Sequence, residues 1–222
     1  MGDPVRRAAL FDVLARTGKA LSNGKRLELL DLLAQGERSV DALAKAAGLG
    51  LTTASAHLQT LKQAEPVTTR REGTRIHYRL AGDDVAALHA LLQQVARSHQ
   101  AAAADATRAA HLGPEDTDHL TREELLQRVK AGTAVVIDVR PAEEYAAGHI
   151  PGALALPLAE LEARLGELPP ETEVVACCRG TNCVLAHDAV RLLTAHGRDA
   201  KRDVDGILEW RLAALPVEAD AA

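Results

Sequence analysis

Aromatic side chains are nearly missing from this chain, with one Trp, one Phe and two Tyr among 222 residues, beside a single Met. Its cores must therefore be built from Leu, Val and Ala. Long apolar runs are also missing, and the N-terminus lacks the apolar block of a signal peptide, which excludes a bilayer-spanning helix and predicts a cytoplasmic protein with no membrane partner. Cysteine is scarce and clustered. All three lie between positions 177 and 183, a pattern that rules out a secreted disulfide framework and points to redox or metal chemistry.

The chain is long enough for two domains of ordinary size. Its net charge of −5 hides an asymmetry: residues 1–100 hold 14 Lys+Arg against 10 Asp+Glu, residues 101–222 hold 12 against 21. Only the front half has the sign to meet nucleic acid.

Asp3-Pro4 reads as a cap and first helical position, opening an amphipathic helix to Thr17 with Leu10, Val13 and Leu14 inward. Ser22 is placed to cap a second helix, Gly24 to Ala34, and Ser39 a short third one. After Gly48-Leu49-Gly50 a fourth runs from Leu51 to about Ala64, completing a helix-turn-helix. On the fourth helix Ala54, Leu58 and Leu61 share the inward face. Thr52, Thr53, Ser55, Ala56 and Gln59 are left outward with His57 near the edge, a set able to reach base edges and phosphates in a major groove. Val67-Thr68-Thr69-Arg70-Arg71, Glu72-Gly73 and Thr74-Arg75-Ile76-His77-Tyr78-Arg79-Leu80 then form a hairpin with four arginines, suited to gripping phosphate.

Residues 19–80 resemble the ArsR/SmtB family of winged-helix repressors, from Ala20-Leu21-Ser22-Asn23-Gly24-Lys25-Arg26-Leu27 through Ser55-Ala56-His57-Leu58 and Arg70-Arg71-Glu72-Gly73 to Tyr78-Arg79-Leu80. The resemblance implies a homodimer on an inverted-repeat operator in double-stranded DNA. Thr52, Thr53, Ser55, His57 and Gln59 would lie in the recognition helix and Arg70, Arg71 and Arg75 in the wing. Gly24 departs from the family's frequent proline, Gly50 from its serine cap, and Glu65-Pro66 from its Gly-Leu. Asp83 to about Ala110 reads as one long helix with a stripe of Val85, Leu88, Leu91, Leu92 and Val95. In the resembling family the first and last helices make the dimer interface. That family's usual metal positions lack their ligands here, so neither a metal nor another cofactor is expected.

The tail of that helix runs into a linker, residues 101–118, and from 119 to 217 a βα alternation predicts a parallel sheet covered on both faces. Thr121 and Glu124 form a capping box. Within this half, Val174-Val175-Ala176-Cys177-Cys178 is a strand, Arg179-Gly180-Thr181-Asn182 a loop, and a helix starts near Cys183. Inward amides and the positive dipole end favour a thiolate at Cys178, the candidate nucleophile, whereas Cys177 alternates with it and suits an inert core position. Cys183 reads equally as a resolving thiol or a buried one. Arg179 reads as a partner for an anionic sulfur, or else as pointing to solvent or pairing with a carboxylate, and Asp138, Arg140 and Glu144 read as scaffold ion pairs. A soft-metal site of Cys177, Cys178, Cys183 and His187 is opposed by the alternation of the first two.

Asp138-Val139-Arg140-Pro141 through Gly148-His149-Ile150-Pro151-Gly152-Ala153, with Cys178-Arg179-Gly180 and Asp205-Gly206-Ile207-Leu208-Glu209-Trp210, resembles a rhodanese domain. The resemblance implies a persulfide on Cys178 cradled by the amides of Arg179, Gly180, Thr181, Asn182 and Cys183. The expected architecture is thus an α+β winged helix-turn-helix module, residues 1–100, followed by an α/β rhodanese-like domain. The leading expectation is a repressor whose operator binding responds to sulfane sulfur from thiosulfate or a persulfide. A sulfurtransferase tethered to a DNA-binding module and a soft-metal or arsenite sensor are the alternatives.

Overall fold

The computed structural model describes residues 4–113 and 117–220. The expected cap at Asp3 and the linker residues Pro114, Glu115 and Asp116 lie outside the described residues. The chain forms two compact units, Met1–Leu91 and Leu92–Ala222.

The first unit runs through α1 (Pro4–Leu21), α2 (Gly24–Ala34), β1 (Arg38–Ser39), α3 (Val40–Ala46), α4 (Leu51–Gln63), β2 (Val67–Glu72) and β3 (Arg75–Leu80) into α5 (Asp83–His99). Its core joins Leu29, Leu30 and Leu33 of α2 to Leu43, Leu58 and Leu61, closed by Val67 and Tyr78 of the hairpin. Each such leucine contributes about 1.5–3 kcal/mol by leaving water. The fourth helix divides as its spacing predicts: Ala54, Leu58 and Leu61 are buried. The three strands are antiparallel in the order β1-β3-β2. Glu72 faces Arg75 across the hairpin turn, and Gly73 takes φ +59° there, where a Cβ would be strained.

Three expectations for the helices between Pro4 and Leu112 are corrected. The cap of α2 is Asn23, extended at φ −154°, with its side-chain oxygen accepting from the Arg26 amide; the Ser22 hydroxyl donates instead to the Lys19 carbonyl at 2.8 Å. Leu10, Val13 and Leu14 do not turn inward: they are 60%, 55% and 59% exposed, because among the described residues nothing covers that face of α1. The long helix expected from Asp83 to Ala110 is two, broken at Gln100. Glu65, standing where the resembling family has glycine, takes φ +71° all the same.

The second unit takes in the end of α5, then α6 (Ala101–Leu112), β4 (His119–Leu120), α7 (Arg122–Ala131), β5 (Ala134–Asp138), α8 (Ala142–Ala147), β6 (Leu154–Ala155), α9 (Leu158–Leu161), β7 (Glu173–Cys177), α10 (Val184–Ala195), β8 (Ala200–Asp203) and α11 (Ile207–Leu212). The helix tail expected to about Ala110 at the start of the 101–118 linker is α6, which runs on to Leu112. The physical reason is visible at its end, where Leu112 is buried and Arg191 donates to the Leu112 carbonyl at 3.0 Å. The Thr121–Glu124 capping box forms as read.

The five strands lie in the order β4-β8-β7-β5-β6, all parallel. Alternate residues feed two cores. Ile137, Val139, Val174, Ala176 and Cys178 meet α9 and α10 on one face, and Val136, Val175 and Cys177 meet Leu125, Ile207 and Trp210 on the other. Among the described residues, no helix is long and apolar enough to cross a membrane.

Candidate functional site

The loop from Cys178 to Cys183 leaves the carboxyl end of β7 and enters α10, the edge at which open parallel sheets bind ligands. Cys178 is buried in the α10-side core. Cys183 is the N-cap of α10, half-buried, and packs against the same core. The two sulfurs are joined as a disulfide with Cα atoms 6.3 Å apart. Cys177 is the free cysteine, facing the opposite core. Burial, then the charges of Asp203 and Asp138, push its thiol well above the ordinary range, so it is inert at neutral pH. The opposed packing of Cys177 and Cys178 also separates the ligands a three-cysteine metal site would need. Among the described residues no group of three or more His, Cys, Asp or Glu is placed to hold a metal ion.

Neighbouring backbone fixes the loop. The Ile207 and Leu208 amides donate to the carbonyls of Cys178 and Arg179 at 3.0 and 3.3 Å. The Cys183 amide donates to the Gly180 carbonyl at 3.0 Å, so that member of the expected amide cradle closes the loop instead of facing sulfur. Gly206 is a residue that motif reading quoted without its reason: a Cβ there would stand 2.4 Å from the Gly180 nitrogen. Gly180 is less constrained: its Cβ would meet the Glu209 carboxylate at 2.9 Å, the end of a side chain that can shift, not backbone. Thr181 and Asn182 are held within the second unit by the end of α5, with Asn182 Nδ2 donating to Gln93 Oε1 at 3.1 Å and Arg97 Nη1 to Thr181 Oγ1 at 3.4 Å.

Arg179 grips a carboxylate. Its Nε and Nη2 donate to Glu144 at 2.9 and 2.7 Å, and Glu144 is 1% exposed. Arg140 and Asp138 form a second buried pair, with Arg140 Nε donating at 2.9 Å and Nη2 also reaching the Gly148 carbonyl at 2.7 Å. Both pairs hold loops at the carboxyl edge of the sheet.

Two further titrating groups lie in this unit and were missed as such. Asp203, at the end of β8, has both carboxylate oxygens buried, away from any side-chain donor among the described residues. Burial, with Asp205 nearby, raises its pKa to about 7. The β5–β7 register pairs Asp138 with Cys177, and the β7–β8 register, continued by one residue, sets Asp203 beside Cys177. His187, one turn past Cys183, is buried near Arg202, Arg191 and Arg108, and its pKa falls to about 4. Its Nδ1 sits 3.2 Å from the Thr117 hydroxyl.

The first unit carries the second candidate surface. Thr52, Thr53 and Gln59 of α4 are exposed, and Ser55 and His57 half-buried. Gln59 does not wait idle: its amide donates to the Tyr78 hydroxyl at 3.1 Å, tying α4 to the hairpin. On the hairpin Arg70 is paired with Glu37 at 2.7 Å and Glu72 at 3.0 Å. Arg71 Nε donates to the Gly73 carbonyl at 3.0 Å, and Arg75 is exposed at the turn.

Together, these features define a winged helix-turn-helix protein with a rhodanese-like second domain. The bacterial regulatory protein, arsR family, matches residues 23–69, and the rhodanese-like domain matches residues 121–213. The HTH-type transcriptional regulator Rv0324 of Mycobacterium tuberculosis is 57% identical over 99% of this chain and 96% of its own length. The chain therefore belongs to the ArsR family of transcriptional regulators, in the form that carries a rhodanese-like domain. Among solved structures, the homodimeric winged helix-turn-helix DNA-binding domain of Mb0332 from Mycobacterium bovis is 62% identical, covering 45% of this chain and 92% of that one, with a TM-score of 0.42. A rhodanese-related protein from Thermoplasma volcanium is 23% identical, covering 46% of this chain and 99% of that one, with a TM-score of 0.42.

Proposed function

We propose that this transcriptional regulator is a cytoplasmic homodimeric repressor of an inverted-repeat operator, and that sulfane sulfur taken up on Cys178 changes its grip on DNA. Dimerisation is supported by the exposed apolar face of α1 (Leu10, Phe11, Val13, Leu14) and by the exposed stripe Leu88, Leu91, Leu92 and Val95 of α5. Large apolar areas of this kind mark protein–protein contact. DNA contact falls to Thr52, Thr53, Ser55 and His57 with Arg71 and Arg75, while Arg70 must exchange Glu37 and Glu72 for phosphate.

The observation that carries the sulfur reading is the Cys178–Cys183 loop at the sheet edge, hydrogen-bonded through Thr181 and Asn182 to Arg97 and Gln93. These two belong to α5, the helix whose stripe makes the proposed dimer. A change of sulfur state alters the loop, and the loop touches the helix. Arg179, held by Glu144, positions the loop.

The test is a titration of an inverted-repeat duplex, selected from a random library, with reduced and thiosulfate-treated full-length protein. A tenfold or larger change in affinity, about 1.4 kcal/mol, is expected; equal affinities would refute the sensor. The rhodanese-like match favours a second reading, a sulfurtransferase tethered to DNA. Rapid sulfur transfer to cyanide with unaltered operator affinity would establish it.

A further inference from the structure

Resting on the reading of Cys178 as the sulfur acceptor, we infer that Cys183 is a resolving cysteine, which converts the Cys178 persulfide into the Cys178–Cys183 disulfide and expels the sulfur as sulfide. Four features bring the two thiols to one reaction. They face the same core, on the side of α10. Their Cα atoms are 6.3 Å apart, inside the span a disulfide requires, and the sulfurs are bonded in the structure. Cys183 is the N-cap of a 12-residue helix, where the helix dipole favours a thiolate. The turn between them is closed by the hydrogen bond from the Cys183 amide to Gly180, so the approach needs no refolding of the strand or helix. Cys177 cannot substitute, because it packs among Val175, Ile207 and Trp210 on the other face and holds its proton.

The chemistry balances. The Cys178 thiolate attacks the sulfane sulfur of thiosulfate, forming the S–S bond of a persulfide and releasing sulfite. The Cys183 thiolate then attacks the Sγ of Cys178; the new bond joins the two cysteines and the outer sulfur leaves as hydrosulfide, taking up the proton that Cys183 loses. Two thiols are oxidised to a disulfide, and the sulfane sulfur is reduced to sulfide by the same two electrons. One chain thus processes one sulfur and stops until an external thiol reduces it. That is the behaviour of a latch and not of a turnover enzyme. The burial of Cys178 in the bonded state fits a spent acceptor closed to further donor.

Full-length protein, reduced and freed of reductant under anaerobic conditions, is given thiosulfate while sulfite, sulfide and intact mass are followed. Wild type is expected to release one sulfite and then one sulfide per chain and to end about 2 Da lighter. Cys183→Ser should release sulfite without sulfide and stay about 32 Da heavier. Cys177→Ser should match wild type. A wild-type chain that releases sulfite yet keeps the added sulfur overturns the resolving role alone. Absence of sulfite from both wild type and Cys183→Ser overturns the acceptor reading, and the resolving role with it. Should the serine variant fail to fold, the sulfite-to-sulfide sequence in wild type still decides.

Discussion

The two candidate sites, the hairpin of the first unit and the cysteine loop of the second, treat charge in opposite ways. In the first, Arg70 is 53% exposed and shares Glu37 and Glu72 at the surface. In the second, Arg140, Asp138, Glu144 and Asp203 are exposed by 0%, 1%, 1% and 4%. An exposed arginine keeps most of its hydration and can trade one anion for another, which is what a phosphate-binding surface needs. A buried one is committed to its partner, and that commitment fixes the loops around the cysteine.

The sharpest way to break the contrast is Arg140→Met, which leaves Asp138 buried without its cation. We expect a loss of about 3–5 kcal/mol in urea unfolding, against little or no change for Arg70→Met, whose ion pairs lie in solvent. Adding Asp138→Leu to the first variant should recover most of the loss.

Next in size is a pair of opposed pH effects within the second unit. Folded Asp203 titrates at about 7 against an ordinary 3.8, so the folded chain keeps a proton that the unfolded chain releases, and stability is lost as pH rises from about 4 to about 7. His187 titrates at about 4 when folded against 6.5; here the unfolded chain binds the extra proton, and stability is lost as pH falls through the same region. Relative to wild type, Asp203→Asn should gain about 2–4 kcal/mol between pH 4 and pH 8. His187→Gln should show the reverse slope, gaining as pH falls from 6.5 to 4. Thermal melts across that range check both.

A smaller effect tests the exposed side. Glu37→Gln combined with Glu72→Gln frees Arg70 from its competing anions and should tighten binding to any duplex by roughly several-fold. Fluorescence anisotropy at two salt concentrations should also show a steeper salt slope. Smallest is Gly50→Ser. Gly50 caps α4 without a side-chain hydrogen bond, and a Cβ there meets nothing within 4 Å. A serine should add a few tenths of a kcal/mol, read as a rise in melting temperature.

Much of this was legible along the chain. The faces of α4, the hairpin and the opposed packing of Cys177 and Cys178 follow from periods of 3.6 and 2 that any local stretch displays. The misread cap at Ser22 is a one-residue shift of the kind helix ends allow. The two-residue strands β1, β4 and β6 carry too little pattern to be seen. Leu10, Val13 and Leu14 announce an apolar face, but an apolar face does not say whether its cover lies in the same chain. Gly206 was visible as a motif residue, and its purpose was not, since the atom it avoids belongs to Gly180 on another loop.

By itself, then, the sequence determined two modules, the faces of their helices and strands, and the place of Cys178 at the head of the β7–α10 loop, because each is written in neighbouring residues. Tertiary structure alone decided that Arg179 closes on Glu144, that Asp138, Cys177 and Asp203 share a row, and that the Leu112 carbonyl ending α6 is held by Arg191 of α10. Those outcomes depend on strand order and register, and these are set by contacts between residues far apart in the chain, which no local period encodes.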